Sequence, residues 1–178
     1  LVGQDWFGTG PQEMRKLVRE DIRHGAQTIK IFATGGHGFP GHGDSMRDMS
    51  RDEIEAVVNA AHERGAKVRA HVGSREGIVE CIDLGVDIID HGDNVDEAIF
   101  EKMVKAGTYW VPSIFNMSVM LKLGFGDVPL IQKEYDNVKK MLPIAEKGGV
   151  KIMAGDDYFG LYREVMEKDP LDHDVGNY

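Results

Sequence analysis

Four side chains that can bind a metal or transfer a proton lie in or at the end of segments that look like β-strands. They are Lys30, His71, His91 and Asp157. Imidazole and carboxylate are the usual ligands of Zn²⁺ and related ions. Taken alone, a strand-end histidine is more often a hydrogen-bonding residue than a ligand, and an aspartate there can cap a helix. Because parallel α/β proteins carry their active sites at the carboxyl ends of strands, the four residues together predict a functional site.

Lys30 stands out because it interrupts a short β-branched segment. Strand alternation places Ile29 and Ile31 on one face, and Lys30 and Phe32 on the other. The isoleucine face suits packing under helices, whereas the other face must tolerate or use an amine, since lysine is almost never fully buried without a partner. An edge-strand lysine whose amine reaches solvent is the structural alternative.

The same alternation decides between two adjacent aspartates near the end of the chain. Asp156 has the parity of Val150 and Ile152, so we predict that it leans toward the helices. Asp157 has the opposite parity and is predicted to point inward. We therefore assign the functional carboxylate to Asp157.

Predicted helices and strands alternate along the chain. Pro11 begins the first helix, and a capping box of Ser50 and Glu53 begins the second. The predicted helices are residues 11–25, 51–64, 74–84, 96–105 and 130–147, and the predicted strands are residues 28–33, 67–72, 87–91, 109–114 and 150–157. Repeated βα units of this kind predict a parallel sheet.

Two architectures fit such a sheet: a doubly wound fold and part of a (β/α)₈ barrel. No G-x-G-x-x-G motif follows a predicted strand, and the strands carry polar residues on one parity, so the barrel is favoured. A barrel needs about three more strands, which we expect to precede Leu1. Residues 1–178 are thus predicted to form a single incomplete barrel domain, a fragment of a longer protein.

Composition excludes several classes of function. The formal net charge is -9 and no lysine or arginine cluster is present, which argues against binding to nucleic acid or to an anionic membrane. No apolar run approaches the length of a membrane span. The lone Cys81 excludes an internal disulfide and fits a reducing compartment, so a cytoplasmic protein is expected.

The chain resembles the C-terminal part of a metal-dependent hydrolase barrel of the amidohydrolase superfamily. It is most similar to the imidazolonepropionase-like and Xaa-Pro dipeptidase-like branch. Four short segments carry the resemblance, matching strands four, five, six and eight of that barrel: Ile29-Lys30-Ile31, Ala70-His71-Val72, Asp90-His91-Gly92 and Ala154-Gly155-Asp156-Asp157. The last replaces the family's usual Gly-Thr-Asp.

The resemblance implies a TIM-like (β/α)₈ barrel, of which this chain supplies strands four to eight, and it implies a metal centre. By that resemblance Lys30 is carbamylated by CO₂ and bridges two metal ions. The expected cofactor is a divalent metal, with zinc expected, as one or two ions. His71 and His91 bind the second ion, while Asp157 binds the first and acts as general base. A metal-activated water would hydrolyse a small-molecule amide, an Xaa-Pro-like dipeptide or a related C–N bond.

One departure from the family pattern concerns the first metal site. The family's His-x-His pair from the first barrel strand does not occur in these 178 residues. His37 and His42 lie in a glycine-rich loop and are interpreted as residues that face the mouth of the barrel. Substrate specificity is expected from the loops at residues 35–44, 116–128 and 158–162. The middle loop is apolar enough for a hydrophobic pocket or, equally, for a helical turn packed on the rim.

Two alternative functions remain open from the sequence. Lys30 could be the Schiff-base lysine of an aldolase-type lyase, with the histidines and Asp157 acting in proton transfer without a metal. The chain could instead be an inactive fragment that self-associates. Since part of a barrel exposes two sheet edges, a homo-oligomer is expected in either case.

Overall fold

A computed structural model of the chain describes residues 8–36, 43, 45–155 and 157. Helices and strands alternate over most of this length. In chain order the elements are α1 (Pro11–Arg23), β1 (Thr28–Phe32), α2 (Arg51–His62), β2 (Lys67–Val72), α3 (Arg75–Asp83), β3 (Ile88–His91), α4 (Glu97–Ala106), β4 (Tyr109–Val111), α5 (Ile114–Leu123), α6 (Val128–Gly148) and β5 (Lys151–Ile152).

The strands form a five-stranded sheet in which every described pair is parallel. The spatial order is β1-β2-β3-β4-β5, so each strand lies beside the next strand in sequence. A doubly wound fold reverses its strand order at a switch point, whereas a barrel keeps the order sequential. The prediction of an α/β fold built like part of a (β/α)₈ barrel is therefore confirmed.

The two faces of the sheet differ as alternation predicts. The helix-covered face carries side chains that are almost fully buried, among them Ile31, Val68 and Ile89. The opposite face carries Lys30 and Arg69, which keep about two fifths of their side-chain surface exposed (38% and 40%). The buried face stabilises the sheet through apolar burial, and the opposite face is left to polar groups.

Helix ends follow the sequence signals. The Ser50 backbone N–H donates to the Glu53 carboxylate at 2.8 Å, which completes the predicted capping box of α2. Asp96 begins α4 by accepting from the Ile99 backbone N–H at 2.8 Å. In the described part of the chain no helix is both long enough and apolar enough to cross a membrane.

Three elements differ from the sequence prediction. The fourth strand, predicted over residues 109–114, ends at Val111, and Ile114 begins α5. Residues 116–128, predicted as a loop, lie largely within α5, which buries Phe115, Met117 and Met120. Of the two interpretations of this segment, the helix packed on the rim is the one observed. A helix that is apolar on all sides is buried against the rest of the protein. The last strand is shorter than predicted: β5 covers Lys151–Ile152, and the backbone N–H of Met153 still donates to the Trp110 carbonyl.

Candidate metal centre

Three of the four predicted site residues lie on three neighbouring strands of the sheet. Lys30 is in β1, His71 is the penultimate residue of β2 and His91 is the last residue of β3. The parallel register pairs Lys30 with Arg69, and Phe32 with His71. Lys30 therefore lies one pleat below His71 on the same face of the sheet, closer to the barrel floor.

His91 reaches this face because its backbone leaves the strand conformation. The register pairs it with Val72, which is fully buried under the helices, so regular alternation would bury the His91 ring there too. Its φ angle is instead +65°, a left-handed conformation that is uncommon for a residue other than glycine. The ring lies edge-on to that of His71, with centroids 4.5 Å apart.

Gly92 makes this turn possible. Its φ angle is also positive, at +64°, and a Cβ atom there would come within 2.9 Å of the Trp110 indole nitrogen. That nitrogen donates to the His91 carbonyl at 2.7 Å. Trp110 is fully buried, so it fixes the His91 backbone from below. The Asp90-His91-Gly92 segment thus positions an imidazole that strand geometry alone would direct away from the site.

The His71 ring is enclosed by its neighbours and is held neutral. Burial lowers the pKa of His71, and the nearby Lys30 charge lowers it further. The Phe32 ring lies 5.0 Å from it, and a Cβ atom on Gly36 would approach its Nε2 atom to 2.9 Å. A neutral imidazole keeps a lone pair on one ring nitrogen, which is the form that binds a metal ion.

Asp90 connects Lys30 to Arg69, a role that the sequence analysis did not assign. Only 2% of its surface is exposed, and it shares the strand face of His71. Its carboxylate forms an ion pair with the Lys30 amine. Arg69 donates to the same carboxylate from Nε and from a terminal guanidinium nitrogen, at 2.7 to 3.0 Å. The hydrogen bond to Asp90 raises the pKa of Arg69.

A signal for Asp90 exists in the sequence. Asp90 has the same parity as Ile88, and a regular strand directs that parity toward the site. Asp90 also directly precedes a histidine. Alternation allows only one of Asp90 and His91 to face the site. The left-handed backbone at His91 lets both face it, and this conformation does not follow from residue types.

Asp157 lies just beyond β5 and is held by α5. The Asn116 amide donates to its Oδ2 atom at 2.6 Å. The hydrogen bond to Asp90 has the largest effect on the pKa of Arg69 and raises it. The negative charge of Asp157 also raises that pKa. The Asp157 carboxylate is therefore near enough to Arg69 for their charges to interact. Asp156, His37 and His42 lie outside the described residues, so the choice between the two aspartates stays a prediction.

The described side chains do not form a complete metal site on their own. No group of three histidine, cysteine, aspartate or glutamate residues in this part of the chain is arranged to hold an ion. An open cavity of about 700 Å³ lies between the start of α3 and α6. The residues that line it include Ser74, Asn94 and Lys133. None of Lys30, His71, His91 and Asp157 lines that cavity.

Comparisons with known proteins agree with the fold. The family model described as "Amidohydrolase family" matches residues 1–164. Ochratoxinase from Aspergillus niger is 30% identical over 164 residues, an alignment that covers 85% of this chain and 34% of that protein. Its crystal structure superposes with a TM-score of 0.78 at 29% identity, over 84% of this chain and 35% of that chain. The chain thus spans about a third of the length of this curated relative.

Two further solved structures are similar at comparable identity. A Xaa-Pro dipeptidase with bound methionine in its active site is 32% identical, with a TM-score of 0.72, over 85% of this chain and 39% of that one. A prolidase complexed with N-methylphosphonate-L-proline is also 32% identical, with a TM-score of 0.78 and the same coverage.

Proposed function

Because this chain belongs to the amidohydrolase family, we propose that the full-length protein is a metal-dependent hydrolase of an amide or related C–N bond. The observation that carries the proposal is the convergence of a lysine and two imidazoles from three neighbouring strands. Lys30, His71 and His91 lie on one face of the sheet, and the two histidine rings are 4.5 Å apart. Parallel α/β barrels place their chemistry at this end of the strands.

The substrate class that we propose is a small amide or dipeptide of the Xaa-Pro type. Support comes from the names of similar proteins, one a Xaa-Pro dipeptidase and another a prolidase complexed with an L-proline derivative. The formal charge of -9 supports a small-molecule substrate over a nucleic acid. A cytoplasmic location, supported by the lone and buried Cys81, is part of the same proposal.

The donor chemistry fits one or two zinc ions if Lys30 is modified. Neutral His71 and its neighbour His91 supply two nitrogen ligands, fewer than the three or four protein ligands that zinc sites usually have. An unmodified Lys30 is a cation and cannot bind a metal ion, whereas a carbamate on its amine is an anionic oxygen ligand. The proposed ligands are therefore carbamylated Lys30, His71, His91 and Asp157.

Each residue then has a distinct task in hydrolysis. A divalent ion bound here would polarise a substrate carbonyl and lower the pKa of water. In this proposal Asp157 accepts a proton from the attacking water and returns it to the leaving nitrogen. The Asn116 amide, 2.6 Å from the Asp157 carboxylate, orients that base. The left-handed backbone at His91 holds the second imidazole beside the first.

Removal of metal tests the proposal against the lyase alternative. Dialysis of the full-length protein against a chelator should abolish hydrolysis of a proline-ending dipeptide, and zinc with bicarbonate should restore it. Unchanged activity after chelation would remove the main support for the metal centre. Borohydride reduction in the presence of a ketone substrate should leave Lys30 unmodified, since a carbamylated amine cannot form a Schiff base. A covalent adduct on Lys30 would favour the lyase.

For the 178-residue chain on its own, we propose that the binding partner is a second copy of the same chain. Within the described sheet β1 and β5 each pair with one strand, and Phe32, Tyr109 and Met153 are 38–56% exposed. Open edges and exposed apolar side chains favour association with a second copy. Sedimentation velocity should therefore show dimers or larger species. A stable monomer with cooperative unfolding would contradict this expectation.

A further inference from the structure

Arg69 forms an ion pair with the buried carboxylate of Asp90 beside the proposed modification site. Asp90 is 2% exposed and accepts hydrogen bonds from both Lys30 and Arg69. Arg69 holds it through a bidentate contact, with Nε to Oδ2 and a terminal nitrogen to Oδ1 both at 2.7 Å. This fork does not depend on Lys30, so Arg69 can hold Asp90 whatever the chemical state of the lysine.

Carbamylation changes the charge balance of these three groups. A charged amine and CO₂ form a carbamate by making an N–C bond and releasing two protons to solvent, so the charge on Lys30 changes from positive to negative. In the unmodified state two cations share one buried carboxylate. In the modified state Asp90 faces a second anion, and Arg69 is the cation that remains beside it. A buried carboxylate left without a cation is strongly disfavoured.

We propose that Arg69 is a charge-compensating positioning residue for Lys30. By holding Asp90 it keeps that carboxylate neutralised when Lys30 carries a carbamate, and it thereby permits the modification. Arg69 is the register partner of Lys30 and shares its strand face, which places the compensating charge beside the modified amine. The inference rests on the proposed function, because it concerns the carbamate of Lys30.

The test measures the carbamate itself in zinc-loaded, full-length protein prepared in ¹³C-bicarbonate. The carbamate carbon is detected by ¹³C NMR and normalised to protein concentration. Arg69→Met should lower this signal by about tenfold or more, in line with the effect of a neighbouring charge on an ionic equilibrium. Arg69→Lys keeps the charge and should retain most of the signal. Arg69→Met combined with Asp90→Asn should regain it, because the uncompensated carboxylate is also removed.

The double variant separates charge compensation from packing. A pair that acts only by packing would lose more signal when both partners are replaced, whereas charge compensation predicts recovery. Circular dichroism checks folding, and Arg69→Gln takes the place of Arg69→Met if the latter does not fold, with the same expected loss.

Three outcomes would contradict the inference, and they are distinguishable. A wild-type protein without carbamate signal would overturn the proposed modification and the inference with it. A normal wild-type signal with no loss in Arg69→Met would overturn the inference and leave the proposed function intact. Loss in Arg69→Met without recovery in the double variant would show that Arg69 acts by packing.

Discussion

Replacement of Lys30 by alanine is expected to remove bound zinc from the full-length protein and to lower kcat/KM by about 10³-fold or more. The physical reason is that a metal ion contributes several kcal/mol of transition-state stabilisation, and each 1.36 kcal/mol is a factor of ten in rate. In the proposed centre the carbamate on Lys30 supplies the anionic ligand that complements the two imidazoles. Metal content by mass spectrometry and steady-state kinetics with a proline-ending dipeptide measure the two effects.

Lys67→Ala is the matched control for Lys30→Ala. Lys67 is the first residue of β2, at the opposite end of the strands from the histidines, and its amine pairs with Asp87 at 2.6 Å. Because its side chain is 64% exposed, that ion pair contributes little to stability. Lys67→Ala should therefore keep both metal and activity. If Lys30→Ala kept its metal as well, Lys30 would not be a ligand and the proposed centre would be wrong.

The parts of the fold that were predictable from sequence are those where residue type and burial coincide. In β2 the alternation of Val68 and Ala70 with Arg69 and His71 follows from one face packing under helices and the other facing the site. Such a pattern fixes both the strand and the direction of each side chain. The order of the strands then follows from the short βα connections.

The parts that were not predictable depend on backbone conformation and on pairing between strands. The left-handed φ of His91 allows two consecutive residues, Asp90 and His91, to serve the same site, and alternation cannot show this. The parity of Arg69 follows from strand alternation, but its bidentate contact with Asp90 depends on the register of β2 with β3. The contact of Asn116 with Asp157 spans 41 residues and depends on α5, which was predicted as a loop.

Asp157→Asn is expected to lower kcat by about 10²- to 10⁴-fold, the usual contribution of a general acid or base. The substitution preserves the shape of the side chain, and its amide oxygen can still accept the hydrogen bond that Asn116 now donates at 2.6 Å. What the variant loses is the ability to accept a proton from the attacking water.

Asp156→Asn is the control for this prediction, because it makes the same chemical change one residue away. The alternation predicted from the sequence directs the two side chains to opposite faces, so we expect Asp156→Asn to change kcat only mildly. The φ angle of Asp157 is +48°, which asparagine adopts as readily as aspartate. Asp157→Asn therefore adds no backbone strain. Equal losses from both variants would show that the inward direction of Asp157 is assigned wrongly. Either aspartate could then be the general base.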